Sequence, residues 1–154
     1  MKIFTERCII RNFRLEDAKD LYEVLSDEEV MKCVEPVFDM EKTVDFIKTA
    51  GLCEPPLIYA VELKKTGKVI GHLIFHSYKN NDYEIGWILN QNYWGKGIAD
   101  ELTKRLMEYS KTLDIKSLVI ECDENQSASR HIAEKNGFAY ERKTDDLEIY
   151  RLIL

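Results

Sequence analysis

Two glycines, Gly95 and Gly97, give the clearest indication of a binding function in the sequence, because they separate a strand-like run from an amphipathic helical run. A helix N-terminus presents unpaired backbone N–H groups and the positive end of the helix dipole. Glycines just before such a terminus let the backbone approach an anion closely. The segment therefore predicts a phosphate cradle, to which Lys96 can add charge. The alternative is that both glycines only form a tight turn.

Two better-known phosphate motifs do not fit this loop. Asp100 occupies the third glycine position of the dinucleotide fingerprint G-x-G-x-x-G, so that motif is incomplete. The P-loop pattern fails as well, since no Gly-Lys-Ser/Thr follows at the required spacing. Within the loop, the side chain of Trp94 either shields the bound phosphates or packs into the core.

Candidates for acid–base chemistry lie on neighbouring predicted strands. Strand alternation places Glu84 on the same face as Ile88, and Glu121 lies on the next strand along the chain. A carboxylate at either position can accept a proton from a substrate, or it can be satisfied by a neighbouring side chain. His72 and His76 share one face of another strand, and we expect them to be solvent-facing or hydrogen-bonded rather than catalytic.

Hydrophobic periodicity predicts the elements that position these residues. The predicted helices are residues 15–25, 28–34, 43–52, a long helix with the stripe Ile98, Leu102, Leu106, Tyr109 and Leu113, and 127–136, which Gly137 ends. The predicted strands are residues 7–12, 57–63, 69–78, 83–89, 117–122, 138–142 and 147–153. Strand, helix and strand over residues 83–122 predict a right-handed crossover and a parallel pair inside a mixed sheet.

Composition restricts the class of protein. The 154 residues suit one domain, and a net charge of −6 without a Lys/Arg-rich run argues against a nucleic-acid partner. The acidity either attracts a cationic substrate or only keeps the protein soluble. Four cysteines form no CxxC pair and no zinc spacing, so we expect free thiols, no metal and a cytoplasmic location. No apolar run is typical of a signal peptide or a membrane span.

Read as a whole, the pattern resembles the GNAT superfamily of acyl-CoA-dependent N-acyltransferases, and most closely its branch of ribosomal-protein N-terminal acetyltransferases. The opening resembles that branch in T-E-R-C-I-I-R at residues 5–11 and L-E-D-A at 15–18. The central segment is similar in E-I-G-W at 84–87 and Y-W-G-K-G-I-A at 93–99. The last helix is similar in E-K-N-G-F at 134–138. These motifs occur in the family's order over nearly the whole chain.

The resemblance implies a single acyl-CoA N-acyltransferase-like domain over residues 1–154, of the α/β (α+β) class. Its sheet is expected to be mixed and mostly antiparallel, with about seven strands flanked by about four helices. It also implies acetyl-CoA binding, with backbone N–H groups near Ile88 and Leu89 as donors to the reaction's oxyanion. The implied cofactor-binding residues are Ile88, Leu89, Asn90, Tyr93, Trp94, Gly95, Lys96, Gly97, Ile98, Ala99, Asn125 and Ser129. Asn125 stands four residues before Ser129, where relatives often have three.

The resemblance further implies direct attack of a primary amine on the thioester of acetyl-CoA. Glu84 is the expected base, acting through water, and Glu121 is the alternative. Ser129 holds the CoA thiol or a water, or else it caps or packs the start of its helix. Many relatives carry a tyrosine that protonates the leaving thiolate, and Ala133 stands at that position here.

Three functions are compatible with the sequence. The first is an active N-acetyltransferase, and the second is a catalytically silent CoA-binding or regulatory module of the same fold. The third is an unrelated nucleotide-binding domain, which predicts affinity for ATP or NAD instead. The acceptor amine stays open among a protein N-terminus, a polyamine, an amino acid and an aminoglycoside, and the protein is expected to be a monomer or a homodimer.

Overall fold

A computed structural model describes the whole chain, from Met1 to Leu154. The helices are α1 (Ala18–Leu25), α2 (Glu28–Met31), α3 (Met40–Phe46), α4 (Ile98–Lys111) and α5 (Ser127–Lys135). The strands are β1 (Lys2–Phe4), β2 (Cys8–Arg11), β3 (Ile58–Leu63), β4 (Val69–Ser77), β5 (Asp82–Leu89), β6 (Ser117–Asp123), β7 (Ala139–Thr144) and β8 (Leu147–Ile153). Short 3-10 turns span Leu15–Asp17 and Gln91–Tyr93, and a π-helical turn spans Ile47–Gly51.

The strands form one mixed sheet in the order β1-β2-β3-β4-β5-β6-β8-β7. The pair β5 and β6 is parallel, with Tyr83 opposite Leu118, and α4 connects the two strands. The predicted crossover and the mostly antiparallel, mixed α/β architecture are thus confirmed. A parallel neighbour requires such a crossover, because a tight hairpin turn can only reverse the chain.

The sheet has eight strands rather than about seven, because Lys2–Phe4 adds an edge strand that was not predicted. It pairs antiparallel with β2, and Ile3 lies opposite Ile10. A three-residue strand with one buried side chain is too short to show a period in sequence. The other edge strand, β7, is exposed along most of its length and carries Glu141, Arg142 and Lys143.

The chain divides into two compact units, and the first comprises residues 1–74 and 87–98. Its core packs the apolar face of α1 with the π-helical turn and with β3, through residues such as Leu21, Leu25, Ile47, Ile58 and Ala60. Near this core, Arg11 donates to both Asp17 and Glu62 at 2.8 and 2.5 Å. Although burial of Asp17 opposes the effect, hydrogen bonding to Arg11 lowers the pKa of the Asp17 carboxyl.

The second unit comprises residues 75–86 and 99–154. Leu102, Leu106, Leu118 and Ile149 are fully buried in it, as the predicted stripe of α4 requires. Leu113 was predicted to extend that stripe, but it is 46% exposed because α4 ends at Lys111. Gly137 follows α5 with a φ of 88°, so the predicted left-handed end of this helix is confirmed.

Side-chain caps, which the apolar pattern does not show, set the limits of the short helices. The side chain of Asp27 accepts from the N–H groups of Glu29 and Val30 at the start of α2. Asp39 caps α3 in the same way, so that helix begins at Met40, three residues before the predicted start at 43. All four cysteines are free, and no helix has both the length and the apolar character needed to cross a bilayer.

Candidate functional site

The loop after β5 lies in the first unit, and most of its residues are exposed. The N–H of Asn90 donates to the carbonyl of Ile70 at 2.7 Å, and its side-chain oxygen accepts from the N–H of Asn92. These bonds fix a 3-10 turn over Gln91–Tyr93. Residues 94–97 after the turn are exposed, and Ile98, which follows them, is buried. The loop is therefore anchored at both ends and open between them.

Both glycines of the loop take conformations that favour glycine. Gly95 has a φ of 71° and Gly97 a φ of 79°. A side chain on Gly95 would meet no atom within 4 Å, and one on Gly97 would meet only the guanidinium of Arg7, at 3.6 Å. The space above this backbone is thus open, and a side chain would fill it. Beside the start of a 14-residue helix, this geometry fits an anionic group bound by main-chain N–H groups.

Two further side chains hold this loop in place. The indole nitrogen of Trp94 donates to the carbonyl of Leu89 at 2.9 Å, and the Trp94 side chain is 44% exposed, so packing into the core is excluded. Arg7 donates from Nη1 to the carbonyl of Lys96 at 2.7 Å, although 89 positions separate these residues in sequence. Arg7 was not predicted as a site residue, because no local pattern links the first strands to this loop.

The end of β5 leaves no room for a side chain at Gly71 of β4. A side chain on Gly71 would bring its Cβ within 2.1 Å of the carbonyl oxygen of Ile88, so only glycine fits there. Ile88 is partly buried and packs on the core of the first unit, while Leu89 is 5% exposed. The assignment of their N–H groups as oxyanion donors stays a prediction.

The second unit brings the two candidate bases near each other. Glu84 lies opposite Val119 in the parallel pair, and Glu121 is two residues further along the same face of β6. Burial first, and then the negative charge of Glu121, raise the pKa of the Glu84 carboxyl, while His76 opposes the rise. Glu121 accepts a hydrogen bond from the Tyr78 hydroxyl at 3.0 Å.

Each of these two carboxylates contacts a neighbouring polar side chain, as expected for a carboxylate that is satisfied by a neighbour. Nε2 of His76 lies 3.3 Å from Oε2 of Glu84, and its Nδ1 lies 3.0 Å from the carbonyl oxygen of Ser77. His76 is thus hydrogen-bonded, as expected from sequence. Both Glu84 and His76 keep some solvent contact, with side-chain exposures of 18% and 27%. A carboxylate so placed can still exchange protons with water.

His72 does not follow the expectation of a solvent-facing or hydrogen-bonded side chain. It is 5% exposed, its Nδ1 has no hydrogen-bond partner, and its ring packs against Phe46 with the centroids 5.3 Å apart. Burial lowers the pKa of His72 to about 4. The difference arises because Phe46, at the end of α3, lies against this face of β4 in the first unit.

The predicted cofactor-binding residues at α5, Asn125 and Ser129, lie in the second unit and are not fully buried. Asn125 is exposed, and both its N–H and its side-chain amide donate to Asp123. Ser129 is half-buried in the first turn of α5, whereas Ala133 is completely buried. A tyrosine side chain would not fit at the position of Ala133 without rearranging the core around it.

The first turn of α4, which includes Ala99, is tied to the end of α5 inside the second unit. Asp100 accepts from Lys104 and Asn136 at 2.8 Å and from Lys135 at 3.1 Å. Hydrogen bonding to Lys104 is the main cause that lowers the pKa of Asp100 to about 2. The residue that breaks the dinucleotide fingerprint therefore has a structural role, since it fixes the start of the helix.

The mixed sheet has a crossover helix that begins at an open glycine loop. A family model described as the acetyltransferase (GNAT) domain matches residues 7–139. The chain belongs to the GNAT acetyltransferase family.

Individual relatives agree with this assignment. The uncharacterized N-acetyltransferase YnaD of Bacillus subtilis (strain 168) is 34% identical over 145 residues, covering 92% of this chain and 84% of YnaD. The crystal structure of a GNAT-family acetyltransferase from Bacillus anthracis superimposes with a TM-score of 0.91 at 30% identity, covering 99% of this chain and 98% of that one. RimL, the ribosomal L7/L12 α-N-protein acetyltransferase, shares the fold with a TM-score of 0.84 at 21% identity, covering 100% of this chain and 98% of RimL.

Proposed function

We propose that this acetyltransferase moves an acetyl group from acetyl-CoA to a primary amine by direct attack of the amine on the thioester. The observation that carries the proposal is the loop over residues 94–97, whose glycine backbone is exposed at the start of α4. Two structural relatives support the donor: RimL is solved with coenzyme A, and the microcin C7 self-immunity acetyltransferase MccE with acetyl-CoA and AMP. The four free thiols support a reducing, cytoplasmic location for the reaction.

In this proposal, the main chain from Gly95 to Ile98 binds the pyrophosphate of the donor. The positive end of α4 favours the negative charge, and no specific basic side chain is required for this contact. Lys96 adds charge from an exposed position, and its ammonium lies 5.5 Å from the centre of the Tyr93 ring. Arg7 supports the loop through the carbonyl of Lys96 and brings a second cation beside Gly97.

The chemical step makes two demands on the chain. The acceptor must be a neutral amine, although a Lys amine or an α-amine is largely protonated at neutral pH. We assign Glu84 as the base that takes this proton through water, because the carboxylate is half-buried yet keeps solvent contact. We assign the N–H groups near Ile88 and Leu89 as donors to the oxygen that becomes negative during attack. Acetyl-CoA supplies the activated acetyl group and the thiolate that leaves.

A second candidate, a CoA-binding module without turnover, is favoured by one observation. Ala133 is buried where many relatives carry the tyrosine that protonates the thiolate, so this chain has no hydroxyl at that position. A CoA thiolate is a much better leaving group than an alkoxide or an amide, and it can depart without a positioned acid. The two candidates therefore differ only in whether any amine is acetylated.

Calorimetry and mass spectrometry separate these candidates. We expect acetyl-CoA and CoA to bind and NAD not to bind, and we expect acetylated product from at least one member of a panel of peptides, polyamines, amino acids and aminoglycosides. Binding without product across the panel supports the silent module. No detectable affinity for CoA at millimolar concentration contradicts both.

Gly97→Val tests the cradle directly, because a branched side chain would fill the space above the loop. We expect CoA binding to be lost while the fold persists. Gly67→Val is the matched control, since Gly67 also has a positive φ, of 75°, and open space around it but lies in the β3–β4 turn. Both variants carry the same backbone strain, so normal CoA binding by Gly97→Val would show that the cradle is wrongly placed.

A further inference from the structure

The contact between His76 and Glu84 follows from the hairpin that joins β4 and β5. The N–H of Tyr78 donates to the carbonyl of Asp82 at 2.8 Å, and Asn80 and Asn81 supply the positive φ angles of the turn. Since Tyr78 faces Asp82, the residue two positions before Tyr78 faces the residue two positions after Asp82, so His76 lies directly across from Glu84. Cross-strand neighbours on one face are close enough to interact, and here Nε2 and Oε2 are 3.3 Å apart.

The other polar groups around Glu84 do not neutralise it. Glu121, on β6, is a second carboxylate whose charge opposes ionisation of Glu84. Tyr78, just after β4, donates its hydroxyl proton to Glu121 rather than to Glu84. Arg142, on β7, acts on Tyr78, and the ion pair of Glu84 is with His76. His76 is thus the basic group that favours the charged form of Glu84.

The imidazole is itself held in one orientation. Its Nδ1 lies 3.0 Å from the carbonyl oxygen of Ser77, which can only accept a hydrogen bond, so Nδ1 carries a proton. Nε2 is therefore the nitrogen that faces Glu84, and a second proton there gives an imidazolium beside a carboxylate. Imidazole is the side chain that gains this charge between about pH 5 and 8.

We propose that His76 is a positioning residue for Glu84, whose protonated imidazole fixes the orientation of the carboxylate and favours its ionised form. The role rests on the proposed function, in which ionised Glu84 accepts the proton of the amine. The protonated imidazole offsets burial and the charge of Glu121, so the carboxylate stays ionised. A neutral imidazole with its proton on Nδ1 presents only a lone pair to Glu84, so both the orientation and the charge effect depend on the protonated form.

The variants His76→Gln and His76→Lys separate charge from shape. Glutamine keeps a hydrogen-bonding side chain but has no charge, and lysine keeps a cation at a site with 27% exposure. In His76→Gln we expect the acid limb of kcat/KM to move up by about one pH unit, the low end of the effect of a neighbouring opposite charge. On the acid limb the rate relative to wild type should fall by up to about tenfold, and it should stay close to wild type at pH values where Glu84 is ionised in both proteins. His76→Lys should restore the wild-type limb.

His131→Gln is the matched control, because His131 is an exposed histidine on α5 in the same unit. It should leave the profile unchanged. Rates are compared as ratios to wild type, since the protonation of the acceptor amine cancels in such a ratio. A purely structural loss in His76→Gln would lower the rate equally at every pH, and this result would overturn the inference.

A second measurement does not depend on turnover. Carbon-detected NMR of the Glu84 carboxyl, assigned with Glu84→Gln, should give a higher titration midpoint in His76→Gln than in wild type. An unchanged or lower midpoint overturns the role of His76. A higher midpoint with an unmoved acid limb supports the coupling but contradicts Glu84 as the base, which is a failure of the proposed function instead.

Discussion

The buried imidazole of His72 makes the stability of this chain depend on pH in a predictable direction. Burial lowers the pKa of His72 from 6.5 to about 4 in the folded chain, and its Nδ1 has no partner that would compensate for a charge. As the pH falls, the unfolded chain therefore binds this proton first. The full stability is present above pH 6.5, declines below it, and the loss is complete below about pH 4.

The size of the effect follows from the two pKa values. A shift from 6.5 to about 4 corresponds to a loss of about 3 kcal/mol once both states are protonated. Between pH 7 and pH 5 the expected loss from this one group is about 2 kcal/mol. Since a domain is stabilised by only about 5–15 kcal/mol, a loss of this size is readily measured.

His72→Leu removes the imidazole, and urea unfolding at pH 7 and pH 5, followed by circular dichroism, measures the stability of both proteins. Wild type should lose about 2 kcal/mol more than the variant between these two values. The carboxylates with altered pKa are present in both proteins and cancel in this comparison. His131→Leu, at an exposed histidine, should behave as wild type. Equal losses in wild type and His72→Leu would refute the assignment of a buried neutral imidazole.

Two further variants test the strand that leads into the site. Glu84→Gln should lower turnover at neutral pH roughly 100-fold and leave acetyl-CoA affinity unchanged, with partial rescue at higher pH because more of the amine is then neutral. A pH–rate profile identical to wild type would remove Glu84 as the base and leave Glu121 to be tested. Gly71→Ala should destabilise the chain by about 1–3 kcal/mol, because its Cβ would lie 2.1 Å from a carbonyl oxygen of β5. A thermal melt at the wild-type temperature would mean that the two strands separate there without cost.

The parts of the fold that sequence predicts are those set by local pattern. The strand, glycine loop and helix around Gly97 were predicted because periodicity and backbone freedom act within a few residues. The crossover to β6 followed from strand order. The same order of elements predicted a mixed sheet, and the family resemblance agreed with it.

The parts that sequence did not predict depend on contacts between distant or short segments. Arg7 reaches the loop across 89 positions, and β1 is defined by pairing rather than by composition. His72 is buried and packs against Phe46, which is distant in sequence, so its residue type gave the wrong expectation. The partner of Glu84 could have been found, since the turn at Asn80 and Asn81 sets the register that brings His76 opposite it.

The two edge strands of the sheet affect whether copies of this chain associate edge to edge at high concentration. An edge strand offers a row of unpaired backbone groups that can capture a further strand and start a polymer. At one end, β1 offers only three residues, which is too little for stable strand addition. At the other end, Glu141, Arg142 and Lys143 place charges of both signs along β7, and an incoming strand would have to match or bury them. Both edges are therefore poor templates, and growth of the sheet into fibres is disfavoured.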